Sequence, residues 1–400
     1  MKGFCDARIF VHGQGIVHSD LSFGEKIAGF FPPTEPIELP SDAIVLPGFI
    51  DEHIHGLSGV DVRDADTYSA LCTMSRELPK EGTTSFLATE ASQLPPRLLS
   101  AMKDVRRYLE ENKEETGEKK TGATLLGVHL EGPFLAPSRC GGILSESLTA
   151  PSVELFERLN KVSGGNIRQL TLAPELSGAS EVIRHLRKSG VVVSIGHSEA
   201  TETELCKAVS EGATCVTHLF NAQRPMHHRE MGVVGGALLN DSLFCELIAD
   251  MVHVSVSALK IALRCKPKDK IILITDSIAY KGRSGDGTFE ADGKTITVKG
   301  GKVTLSDGTI AGSILPMNIA VKNMIEQVGA PFLDAVNFAS LNPARSLGID
   351  GERGSIGIGK NADLVAVDGN INVICTVCNG RIAYMAPRDG KRIKTEKASR

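Results

Sequence analysis

Short runs of β-branched and other apolar residues recur along the chain: AIVLPGFI (43–50), TSFLAT (84–89), TLLGVHL (124–130), RQLTLA (168–173), VVVSIG (191–196), TCVTHL (214–219), FCELIA (244–249) and KIILIT (270–275). Most are followed by segments with apolar residues three and four apart, among them TYSALCTMSREL, PRLLSAMKDVRRYLEENK, SVELFERLNKV, ASEVIRHLRKSG, TETELCKAVSEG and SVSALKIALR. That spacing is the period of an amphipathic helix, and Gly closes several of the segments as helix C-terminal caps do. Continuous apolar strands alternating with such helices predict a parallel sheet covered on both faces. Eight units of this kind predict an α/β fold closed into a (β/α)8 TIM-type barrel.

The two ends read differently. Residues 1–47 and 350–400 are punctuated by Gly and Pro and carry short alternating stretches such as ARIFVHG, ADLVAVDG and NVICTVCNGRIAYM, the pattern of antiparallel strands. They predict a small β-sandwich domain built from both termini, which leaves 48–349 as the barrel domain. Residues 281–312 read as a β-hairpin insertion after the eighth strand, and ENKEETGEKKTG (111–122) as a solvated helix end and loop.

Composition narrows the class. The 44 Lys and Arg nearly balance the 48 Asp and Glu, a net charge of −4 with no long basic cluster, so nothing points to nucleic acid or an anionic membrane as partner. No apolar run approaches the roughly 20 residues of a membrane span, and the start MKGFCDARIF lacks the apolar core of a secretory signal. The expectation is a cytoplasmic protein. Nine scattered cysteines suit reduced thiols better than a disulfide framework. The lone CxxC, Cys375 and Cys378, reads as part of a β-branched strand. GSIGIGKN (354–361) is one residue away from a phosphate-cradling loop, with Asn361 where Ser or Thr belongs; strand alternation follows it where a helix is needed, so it reads as a turn.

The stretch DEHIHG (51–56) places two histidines one residue apart just behind an apolar run. In a strand, residues i and i+2 point the same way, so His53 and His55 project together from the C-terminal end of the first strand, where barrel enzymes build their sites. Other strand ends deliver similar chemistry: His129 and Glu131 on the third, His197 on the fifth, His218 on the sixth, His253 after the seventh and Asp276 on the eighth. A single buried histidine is usually a hydrogen-bonded structural residue, but gathering all of these on one face by accident is a strained explanation. His12, His18 and His185 have no such placement, whereas His227 and His228 fall in a loop beside the expected site.

Imidazoles and carboxylates together suit a divalent cation, which lowers the pKa of bound water to about 7 and polarises a carbonyl oxygen. That chemistry favours hydrolysis of an amide or ester. A carboxylate outside the ligand set would accept the water's proton and pass it to the leaving amine, and Asp276 in LITDS is the candidate.

Beyond these residues, the motifs DEHIHG, HLEGPF, GHSEA, THLFNA, ADMVHV, LITDS, AGSILPM and NPARSLG, with GSIGIGKNADLVAVD, occur in an order that resembles the N-acetylglucosamine-6-phosphate deacetylases of the amidohydrolase superfamily along nearly the whole chain. The resemblance implies a metal-dependent hydrolase that deacetylates N-acetyl-D-glucosamine 6-phosphate. It implies Glu131, His197 and His218 as ligands of a principal metal, and His53 and His55, with Glu131 bridging, as a second site, so one or two divalent ions per subunit: zinc first, with iron, cobalt or manganese as alternatives. Asp276 resembles the acid/base, and His253 the residue that contacts the sugar and polarises the acetyl carbonyl. Asn221, the Ala222 backbone and Arg229 would hold the phosphate, with Arg229 supplied by the neighbouring subunit of a homodimer. Gly142, Ile310, Ala311, Gly312 and Ser313 would line the sugar site. The chain departs from the family at NAQRPMHHREMG (221–232), which lacks a Pro beside Arg229, at ADMVHV and at TDSIAYKG. Two alternatives stand beside this reading: an amidohydrolase for another N-acyl or cyclic amide, and an inactive barrel serving as scaffold, which the full set of candidate ligands disfavours.

Overall fold

The computed structural model describes residues 1–113, 121–291 and 294–387. Its central sheet has eight strands: β1 (Phe49–Ile54), β2 (Thr83–Ala91), β3 (Thr124–Glu131), β4 (Ile167–Leu172), β5 (Val192–Ile195), β6 (Cys215–Val216), β7 (Phe244–Ile248) and β8 (Ile271–Ile274). Each strand pairs in parallel with its neighbours in sequence. The first and last meet where the Asp276 N–H donates to the His53 carbonyl at 2.9 Å. The sheet therefore comes round into a (β/α)8 barrel. β1, β2, β7 and β8 are buried at every position, which is why they show no polar–apolar alternation; the charged and polar residues they carry, Asp51, Glu52 and His53 on β1, Glu90 on β2 and Glu246 on β7, are buried with the rest.

The amphipathic segments form the outer helices. Val153–Val162 is capped by the Ser152 hydroxyl, Glu202–Glu211 by a reciprocal Thr201 and Glu204 capping box, and Val256–Cys265 by Ser255; each cap stabilises its helix by about 1 kcal/mol. One further helix, Gly232–Leu239, follows β6 and is buried from Gly232 to Leu238. Its sequence GVVGGALL has no polar face and hence no helical period to read.

The first apolar run divides. Ile44–Pro47 is a strand of the terminal sheet, between Lys2–Val11 and Leu364–Val367, and the chain enters β1 only after Gly48. A Cβ on Gly48 would lie 2.3 Å from the Thr84 hydroxyl, so only glycine passes so close to β2. The first barrel strand thus starts six residues later than the AIVLPGFI run, and His53 lies within it.

Both termini contribute to one hydrogen-bonded eight-strand sheet. Its two faces are apolar: Ile44, Leu46, Val365 and Val367 join the barrel's core, whereas Val45, Leu364 and Ala366 join a cluster with Phe4, Ile9 and Phe23. Cys375 and Cys378 lie buried in the strand Val373–Cys378, and burial pushes the Cys375 thiol up to about 12. Residues 354–361 form turns leading to the strand Leu364–Val367. The insertion after β8 has one strand more than a hairpin: Gly287–Ala291, Lys294–Lys299 and Lys302–Leu305 make a three-stranded antiparallel meander. Of the solvated segment read at 111–122, the helix continues to Lys113, and 114–120 lie outside the described residues. No helix among the described residues is long and apolar enough to cross a membrane.

Candidate active site

The C-terminal strand ends converge on Glu131, the last residue of β3. Its Oε1 lies 3.0 Å from His197 Nε2 after β5 and 3.0 Å from His218 Nε2 after β6. The same oxygen is 3.5 Å from His53 Nε2 on β1, while Oε2 is 3.5 Å from His55 Nε2. Asp276, after β8, places Oδ1 3.4 Å from His53 Nε2 and 3.1 Å from His55 Nε2.

Backbone conformation aims these side chains. His197, His218 and Asp276 have φ of 47°, 31° and 49°, the left-handed region that costs a non-glycine residue roughly 1–2 kcal/mol. Each strand is broken just where its functional side chain is needed, a local cost of the kind found at functional sites. In β1, the pairing register with β2 shifts between Asp51 and Ile54, and the rings of His53 and His55 stand 5.3 Å apart at 73°.

The imidazole tautomers follow from the partners of Nδ1. A carbonyl or ionised carboxylate only accepts, so Nδ1 must donate in His55 to Thr89 O (3.1 Å), in His197 to Arg139 O (2.7 Å) and in His53 to Glu246 Oε2 (3.1 Å). In the neutral rings that leaves Nε2 as a lone pair, and all three face Glu131. His197 Nε2 and His218 Nε2 are only 3.1 Å apart. Lone pairs and carboxylate oxygens packed this closely repel unless positive charge lies among them. A cation with ligands at about 2.0–2.1 Å in tetrahedral array would space them by roughly 3.3 Å. The donor set therefore fits a metal ion, as Glu131, His197 and His218, or His53, His55 and Glu131.

The electrostatics agree. Burial works against the Glu131 carboxylate, but His53, His197 and His218 outweigh it and hold the group well below the usual carboxylate range. Asp276 is likewise held low by His53 and His55 against the effect of burial. Burial would lower His53, yet Glu131, Asp276 and Glu246 raise it to about 10. These carboxylates thus demand positive charge, which protons or a divalent cation supply.

His129 behaves differently from its neighbours. It lies wholly buried, with Nε2 2.7 Å from Thr171 Oγ1, and burial beside His53 lowers it to about 3. This is a neutral, hydrogen-bonded ring outside the group around Glu131.

A cavity of about 670 Å³ opens over this cluster, lined by His55, Glu131, Gly142, His197, His218, Asn221, Ala222, His253, Asp276, Ile310, Ala311 and Gly312. His253 is fixed by Asp250, whose Oδ2 lies 2.6 Å from Nδ1. Burial would lower His253, but Asp250 outweighs it and the imidazole is raised. Two expected residues lie elsewhere. Ser313 is buried and bonded to the Thr275 carbonyl, because its hydroxyl closes the turn beside Asp276. Arg229 is exposed, with Nη1 2.7 Å from His228 Nε2, and is not among the residues lining the cavity of its own chain. Arg63, Arg97, Arg139 and Lys294, which the sequence did not single out, do line it.

Glu246 and Asp250 also went unread. Glu246 had a legible signal, an acid inside the apolar run FCELIA. Asp250 stands three residues before His253, a spacing that is informative only once the loop geometry is known.

Residues 44–383 match the model of the Amidohydrolase family. The chain is 44% identical over 355 residues, 89% of this chain and 88% of the relative, to the N-acetylglucosamine-6-phosphate deacetylase of Bacillus subtilis (strain 168). It is 35% identical over 359 residues, 89% of this chain and 93% of the relative, to the N-acetylgalactosamine-6-phosphate deacetylase of Escherichia coli O157:H7. The crystal structure of N-acetylglucosamine-6-phosphate deacetylase from Thermotoga maritima superimposes with a TM-score of 0.85 at 34% identity, covering 96% of this chain and all 100% of that one.

Proposed function

Since this chain belongs to the amidohydrolase family, we propose that it hydrolyses N-acetyl-D-glucosamine 6-phosphate to D-glucosamine 6-phosphate and acetate. The observation that carries the reading is the meeting of Glu131, His197 and His218, their donor atoms 3.0–3.1 Å apart, beneath a cavity of about 670 Å³. Glu131, His197 and His218 would hold the principal ion, and His53 and His55 a second that shares Glu131. A divalent ion there, zinc in the first instance, supplies Lewis acidity toward a carbonyl oxygen and lowers the pKa of water to about 7.

The chain's own groups do the rest. Asp276, ionised by its imidazole neighbours, takes a proton from the attacking water and returns it to the amine nitrogen as the amide C–N bond breaks. The water oxygen leaves in acetate and the nitrogen stays on the sugar. His253, oriented by Asp250, contacts the sugar and polarises the acetyl carbonyl. Gly142 and the 310–312 segment line the sugar, and Asn221 with the Ala222 backbone meets the phosphate.

Arg229 of a second copy completes the phosphate site in this reading, because the Arg229 of the same chain points elsewhere. The active species is then a homodimer in the cytoplasm, with the terminal sheet (1–47 and 350–400) and the barrel (48–349) as its two domains. The C4 epimer, N-acetyl-D-galactosamine 6-phosphate, is the second reading, favoured by the Escherichia coli relative named for it. Acetate release from each sugar phosphate at equal concentration decides between them: a higher kcat/KM for the gluco epimer supports the first reading, and the reverse order overturns it.

A further inference from the structure

Glu246 lies on β7 and is fully buried, its carboxylate at the Nδ1 side of the His53 ring whose Nε2 faces Glu131. Three donors from three other strands or strand ends converge on its carboxylate. Oε2 accepts from His53 Nδ1 at 3.1 Å and from the His218 backbone N–H at 3.2 Å. Oε1 accepts from Gln169 Nε2 at 2.7 Å. Its main-chain carbonyl also accepts the Leu219 N–H at 2.8 Å, so the turn carrying His218 is held from both the side chain and the backbone of one residue.

The two bonds to Oε2 do different things. Toward His53, the acceptor-only carboxylate forces the proton onto Nδ1, leaves Nε2 as a lone pair and makes it more basic, as partners beyond a metal's direct ligands do. Toward His218, it supplies an acceptor for an amide turned out of the sheet by a φ of 31°, a buried group that would otherwise lack a partner. A single oxygen thereby ties a histidine of each proposed metal site.

We propose that Glu246 is a positioning residue that presets His53 as a metal ligand and fixes its distance from His218. The proposal rests on the metal-binding reading above. It assigns Glu246 no contact with substrate. Gln at this position retains an oxygen acceptor of nearly the same shape but loses the charge, and Ala loses both.

The test is a zinc titration of the full-length, metal-stripped protein in competition with a chromophoric chelator, with melting temperature measured alongside. The expected result is a His53-dependent binding step, identified by its loss in His53→Ala. That step is weakened about tenfold in Glu246→Gln and up to about a hundredfold in Glu246→Ala, the scale seen for such partners. Glu246→Gln should melt near the wild-type temperature, and the step that depends on His197 should change little. A His53-dependent step of unchanged affinity in both variants overturns the proposal, as does a wild type that binds zinc without any such step. Equal weakening of both steps with a lowered melting temperature in Glu246→Gln also overturns it, since Glu246 would then be merely structural. A wild type that binds no zinc, iron, cobalt or manganese instead overturns the metal-binding reading itself.

Discussion

His197 and His218 come from strands adjacent in the barrel, and their Nε2 atoms stand 3.1 Å apart, each 3.0 Å from the same oxygen of Glu131. Removing either ring leaves the proposed principal site with two of its three ligands, too few to hold that cation, while His53, His55 and Glu131 remain. His197→Ala is accordingly expected to lose the principal metal. Elemental analysis of the purified variant checks this, and a metal content equal to wild type would count against the ligand set.

Asp276 lies against His53 and His55 and is not one of the proposed principal ligands Glu131, His197 and His218. Asp276→Asn should therefore retain the principal metal while turnover falls at least about a hundredfold, or about 2.7 kcal/mol in the barrier. Near-normal turnover with full metal content would remove Asp276 from the acid/base role.

Arg229 is exposed and faces His228 in its own chain. If a second copy's Arg229 holds the phosphate, Arg229→Ala should raise KM for the phosphorylated sugar at least about tenfold, a charged hydrogen bond being worth roughly 1.5–3 kcal/mol, with little effect on the unphosphorylated sugar. Equal effects on both would place the phosphate on another group, with the cavity-lining Arg63, Arg97, Arg139 and Lys294 as the next to test.

The Asp250 carboxylate raises His253 against the lowering effect of burial. If protonated His253 polarises the acetyl carbonyl, activity is present below the His253 pKa and lost as pH rises through it. Asp250→Asn removes the raising influence, so the basic limb of kcat/KM should move to lower pH. A basic limb at its wild-type position would show that another group sets it.

Much of this arrangement was legible in the sequence because barrel strands carry their chemistry at one end. Continuous apolar runs located the strands, and HxH, HLEGP, GHS, THLFN and LITDS marked where they stop. What escaped was set by tertiary geometry. AIVLPGFI divides at Gly48 because glycine alone passes Thr84 there, a fact of packing between strands distant in sequence. The helix Gly232–Leu239 escaped because burial on all sides erases its period. Glu246 and Asp250 act through histidines, and a hydrogen bond between strands has no fixed spacing in the chain.

The most direct measurement is acetate release from N-acetyl-D-glucosamine 6-phosphate by the purified protein before chelation, after chelation and after zinc is restored. Release that disappears with the chelator and returns with zinc is the predicted result. Undiminished release from protein shown by elemental analysis to be metal-free would contradict the account.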